Sequence, residues 1–90
     1  MGRLRDRMDE DLKIRGYSER TRKAYLRCVR NFARYYGVSP ERLTIGQIKR
    51  FLRHLIEERK LSWSSVNGHV CAIRFLYRVT LERDWDLRIP

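Results

Sequence analysis

Between Ser18 and Gly37 the chain reads SERTRKAYLRCVRNFARYYG, and two interleaved periods in that stretch leave few folds open. Tyr25, Cys28, Val29, Phe32 and Tyr36 recur at spacings of three and four, which places them on one side of a helix. Arg20, Lys23, Arg27, Arg30 and Arg34 recur at the same spacings on the opposite side. The first row requires a core to pack against. The second is a row of cations along a rod, the arrangement a polyanion needs.

The stretch holds six Arg or Lys side chains against one acid, Glu19. A helix stabilised by its own surface charges interleaves signs at i and i+4, whereas like charges there repel by about 0.2–0.5 kcal/mol per pair. The row therefore reads as a polyanion-binding face in preference to a solvated one. A helix about 10–12 Å across fits the DNA major groove, which makes double-stranded DNA the expected partner.

The rest of the chain is read as further helices around this one. From Gly2 to Arg15, Leu4, Met8 and Leu12 form a narrow apolar stripe on a charged helix that carries the acidic run Asp9 to Asp11. That helix should lie away from a polyanion or against basic neighbours. Gly16 and Gly37 suit the left-handed residue after a last helical turn, and Ser18 suits an N-cap. Pro40 to Leu43 reads as one short turn with proline at its first position. Thr44 and Gln47 have capping-box spacing at the start of a third helix. That helix is expected to bury Ile45, Ile48, Phe51, Leu52, Leu55 and Ile56.

A fourth helix is expected from near Ser62 or Ser64 to about Glu82. Val66, Val70, Ile73 and Tyr77 lie on one of its sides and Cys71, Phe75 and Val79 on another, as in a central helix. Its first turn is small and polar. Ser64, Ser65 and Asn67 are expected there to donate to phosphates or to a base edge. Trp85 and Leu87 are expected to fold back on the bundle. No stretch alternates with period two, so the fold class is all-α, with four to five helices in one domain.

Composition sets the outer limits. A formal charge of +10 points to nucleic acid first and an anionic membrane surface second. Cys28 and Cys71 have neither zinc-ligand nor disulfide-framework spacing, and read as small thiols in a reducing compartment. No apolar run approaches bilayer length, and the charged N-terminus lacks a signal-peptide core. A cytoplasmic chain with no membrane association follows. No metal site, no cofactor, no glycine-rich phosphate loop and no nucleophile–base pair is expected, so this chain is expected to be non-catalytic.

Gly16-Tyr17-Ser18-x-x-Thr21-x-x-x-Tyr25, followed by Phe32, resembles the opening of the core-binding domain of tyrosine recombinases, the phage-type integrases. Leu61-Ser62 through Val66-Asn67 and then Ala72-Ile73-Arg74-Phe75-Leu76-Tyr77 resemble that domain's last core helix. Trp85-Asp86-Leu87-x-Ile89-Pro90 is similar to the segment entering the linker before the catalytic domain. The resemblance implies a SAM-like orthogonal bundle over residues 1–84, with 85–90 opening a linker to an absent catalytic domain. It implies that the second and fourth helices face DNA, with Arg74 completing the surface beside Ser64 and Asn67. It implies a parent enzyme that uses a tyrosine nucleophile without metal or nucleotide, and partners that include other recombinase protomers in a synaptic complex, the isolated domain being a monomer. Tyr25 matches a core position of the family and not its nucleophile. Two other readings stand beside this one: a small helix-turn-helix regulator, and a helical module that docks an acidic protein.

Overall fold

A computed structural model describes residues 2–83 and Trp85. Four α-helices, α1 (Gly2–Ile14), α2 (Glu19–Tyr36), α3 (Ile45–Glu57) and α4 (Trp63–Phe75), make up the described fold, with no strand among the described residues. A 3₁₀ turn, Pro40–Arg42, lies between α2 and α3, and α4 continues into a π-helical segment, Leu76–Thr80. The all-α expectation holds.

Local chemistry sets the helix ends. The Ser18 hydroxyl accepts from the Thr21 N–H at 3.2 Å, which satisfies one of the free donors at the start of α2. At the other end Gly37 takes φ 70° and donates its N–H to the Ala33 carbonyl. An L side chain would be strained at that φ. The capping box of α3 is complete: the Thr44 Oγ1 accepts from the Gln47 N–H at 3.3 Å, and the Thr44 N–H donates to Gln47 Oε1 at 2.9 Å. Thr44→Ala removes one half of that exchange. It is expected to cost about 1 kcal/mol, a fall in Tm of roughly 4–8 °C, measured by thermal circular dichroism.

The core forms where the four apolar faces meet. Met8 and Leu12 of α1, Phe32 of α2, Ile48 of α3, and Ala72 and Ile73 of α4 are fully buried, as are Leu76 and Tyr77 of the π-helical segment. Phe32 sits among rings from three elements: Tyr36 at 6.0 Å, Phe51 at 5.2 Å and Tyr77 at 6.4 Å between centroids. In α2 the buried side chains are Val29, Phe32 and Ala33, while Tyr25, Cys28 and Tyr36 are half-buried at the flanks.

Two expectations fail. Ile56, expected in the core, is 49% exposed. It stands in the last turn of α3, where the described residues leave about half of it open, and helical spacing alone does not reveal where a neighbour ends. The fourth helix does not run as a regular α-helix to Glu82. Its last turn widens at Leu76, and the Leu81 N–H reaches back to the Leu76 carbonyl. The wider turn lets Leu76, Tyr77 and Thr80 all point inward. There the Tyr77 hydroxyl donates to the Pro40 carbonyl, and the Thr80 hydroxyl donates to Asp11 Oδ2 at 2.9 Å. Trp85 folds back as expected and stacks on Tyr77 at 4.8 Å. Leu87 lies outside the described residues, as does the expected linker apart from Trp85.

Candidate nucleic-acid interface

Arg20, Lys23, Arg27, Arg30 and Arg34 are all exposed. At 3.6 residues per turn they fall within roughly 80° of arc on α2. The row is therefore a crest, opposite the buried Phe32. Lys23 pairs with Glu19 at 3.0 Å, and that contact holds the Glu19 carboxyl below its usual range. Among the described residues no carboxylate lies within ion-pair distance of the other four.

The sixth cation of α2 is spent inside the fold. The Arg22 Nε donates to Asp9 Oδ1 at 3.1 Å, and its Nη1 donates to the Tyr17 carbonyl at 3.1 Å. Lys13 reaches the same Asp9 at 3.4 Å. Asp11 of the same acidic run accepts from Thr80. Both carboxylates are thus held by groups away from the crest, which agrees with the expectation that the acidic helix would sit against basic neighbours.

Arg5 of α1 joins the crest. It lines a shallow groove of about 330 Å³ with Lys23, Arg27 and Arg30. Sequence reasoning passed over Arg5 because α1 reads as the acidic helix. The available signal was its place next to Leu4, at the edge of the buried stripe.

At the start of α4, Ser62 is the N-cap and accepts from the Ser65 N–H at 3.3 Å. Its hydroxyl also donates to Ser65 Oγ at 3.2 Å. Ser64, Ser65 and Asn67 are exposed, as expected. Beside them Trp63 is 63% exposed, a large apolar side chain that the sequence reading did not single out. His69, one turn further on, is buried. Its Nδ1 bonds the Ser65 carbonyl at 2.8 Å, and its Nε2 has no partner among the described residues. That makes His69 a packing residue whose Nδ1 carries the proton.

Arg74 is half-buried and does not open onto the groove that holds Arg5. It lines a second groove together with Arg15 and Arg78. Of the expected site residues, Lys23, Arg27 and Arg30 share the first groove and Arg74 alone lines the second, while Ser64, Ser65 and Asn67 line neither. Cys28 and Cys71 are close enough to influence each other where α2 packs on α4, and burial pushes the Cys28 thiol up, which keeps it protonated and unreactive. Among the described residues no group of three His, Cys, Asp or Glu side chains is placed to hold a metal ion. None of the helices is long and apolar enough to cross a membrane, among the same residues.

Residues 4–87 match the family model described as the phage integrase N-terminal SAM-like domain. A Sinorhizobium fredii protein provisionally assigned as an integrase/recombinase is 43% identical over 82 residues, which is 91% of this chain and 27% of that protein. Proteins of Escherichia coli and Pseudomonas aeruginosa, each named integrase/recombinase, are 36% identical over 80 residues, 88% of this chain and 24% of theirs. The chain thus spans about a quarter of the length of the curated relatives it matches. No solved structure matches it significantly.

Proposed function

We propose, because the chain belongs to the phage integrase N-terminal SAM-like domain family, that it is the part of a site-specific tyrosine recombinase that grips duplex DNA. In this reading Arg20, Lys23, Arg27, Arg30 and Arg34 contact backbone phosphates, and Ser64, Ser65, Asn67 and Arg74 add contacts from α4. The chain itself is non-catalytic. Residues 1–84 form the binding domain, and 85–90 open a linker to the region that cuts and rejoins DNA. The isolated domain is a monomer, and it meets other protomers in the synaptic complex of the whole recombinase. The setting is cytoplasmic.

One observation carries the reading. Four exposed arginines line one helix edge with no carboxylate of the described residues within ion-pair distance, while Arg22 is the α2 cation that pairs with α1's Asp9. Phosphate contacts of this kind fix register and orientation without reading sequence. The helix-turn-helix alternative fits less well. Between α2 and α3 the chain runs from Gly37 through a 3₁₀ turn to Thr44, longer than the three- to four-residue turn of that motif.

Titration of the 90-residue chain with a duplex of about 20 bp tests the proposal by its salt dependence. Five phosphate contacts predict that affinity falls roughly 500-fold between about 50 mM and about 200 mM salt. Affinity that ignores salt, or no binding at the lower concentration, overturns it.

A further inference from the structure

Between α1 and α2 lies a cleft of about 330 Å³ whose walls are apolar. Leu4 and Met8 line it from α1, Leu26 and Val29 from α2, Pro40 from the 3₁₀ turn and Leu76 from the π-helical segment. All of these but the half-buried Leu26 are buried, so the cleft reaches inward between core side chains. Two exposed cations also line it, Arg5 of α1 and Arg30 of α2, and among the described residues no acid does. The same two arginines and Leu26 line the groove that holds Lys23 and Arg27. Apolar walls on one side of Arg5 and Arg30 thus give way to further cations on the other.

Neither guanidinium has a local counter-charge. Four residues after Arg5 stands Asp9, but its carboxylate is taken by Arg22 at 3.1 Å and by Lys13 at 3.4 Å. Arg30 has Leu26, Arg27, Ala33 and Arg34 at helical spacing, none of them acidic. Among the described residues no carboxylate lies within ion-pair distance of either arginine. A DNA backbone would use such cations and leave the apolar walls without a role. A molecule with an anionic head and an apolar body uses both. Its head accepts charge-assisted hydrogen bonds from the guanidiniums, and its body gains by leaving water.

We propose that this cleft binds a small anionic amphiphile of the medium-chain carboxylate class, with the chain between Leu4, Met8, Val29 and Leu76 and the head on Arg5 and Arg30. The site goes beyond the duplex-binding reading and does not depend on it. Its volume stands at the lower end of the roughly 300–1,000 Å³ of small-molecule pockets. A docked protein helix fits less well, because it lays a row of anchors along an open apolar groove. Here the apolar side chains are sunk in the bundle, and a slender chain reaches them.

Decanoate, kept below the concentration at which it forms micelles, is the probe, followed by methyl NMR of the 90-residue chain. Saturable shifts are expected at the methyls of Leu4, Met8, Val29 and Leu76. Octanoate, shorter by two methylenes, should bind about tenfold more weakly. Arg5→Gln/Arg30→Gln should weaken decanoate binding by about five- to thirtyfold and leave helicity unchanged, since both side chains are exposed. Leu26→Trp enlarges the half-buried wall into the cleft and should abolish the shifts at Leu4 and Val29. The proposal is overturned if decanoate leaves these methyls unmoved, or if either variant binds it as the parent does. Equal shifts with acetate at the same concentrations would mean that the formal charge of +10 alone draws the anion, which also overturns it. Shifts with vesicles of anionic phospholipid but none with decanoate would assign the cleft to a membrane surface, and the proposal would fall.

Discussion

Phe32→Ala should bring the domain close to unfolding, with a Tm at least about 15 °C lower in thermal circular dichroism. Phe32 is fully buried and its ring touches those of Tyr36, Phe51 and Tyr77, so it joins α2, α3 and the π-helical segment. Truncating such a ring costs about 3–5 kcal/mol, because transfer energy and an unfilled cavity add. A 90-residue domain has roughly 5–13 kcal/mol in total. No other element can move in to fill the space without breaking the ring contacts that Phe51 and Tyr77 make elsewhere. Ile56→Ala is the control: Ile56 is a large aliphatic side chain but half exposed, so its loss should stay within about 0.5 kcal/mol. Equal melting of the two variants would mean that α2 does not pack by the Phe32 side, and the crest would lose its support.

The two positions also show what the sequence can and cannot say. Ser18, Gly37 and the Thr44–Gln47 exchange were legible because a cap is a local event, decided within four residues. Phe32 was legible because the 3.6-residue period marks a face. Ile56 obeys the same period and is exposed, because the period gives a face but not the length of the partner that covers it. The widened turn at Leu76 was not legible either. Its cause lies in contacts far along the chain, where Tyr77 bonds Pro40 and Thr80 bonds Asp11.

The candidate site divides in the same way. The crest is a property of one helix, so spacing alone found all five of its cations. Arg5, Arg15 and Arg78 are brought to the grooves by packing between elements, and of the three only Arg5 carries a local mark, its place next to Leu4. Arg22 shows the converse. It belongs to the same basic stretch of sequence, yet tertiary structure turns it inward to Asp9 and the Tyr17 carbonyl. A count of positive residues in α2 would include it with the crest, and only its partners on α1 and the following turn remove it.

Arg27→Glu/Arg34→Glu is expected to abolish duplex binding while leaving the fold intact. Each neutralised phosphate contact is worth nearly tenfold in affinity at about 0.1 M salt relative to about 1 M, and reversal adds repulsion of similar size. Two reversals therefore remove roughly three to four decades, which takes an affinity of about 10⁻⁴–10⁻⁶ M beyond detection. Stability should not suffer, because both side chains are exposed and an acid at position 27 would face Lys23 one turn earlier, replacing a repulsion by an attraction of a few tenths of a kcal/mol. The decisive comparison is Arg42→Glu/Arg59→Glu. These residues are also exposed and lie outside α2, on the 3₁₀ turn and just after α3. Each double variant lowers the formal charge of +10 by four, so long-range attraction weakens equally in both. If binding depends on where the cations stand, the crest variant loses it and the control keeps most of it. Equal loss in the two would mean that net charge alone draws the duplex, and that α2 presents no contact surface of its own.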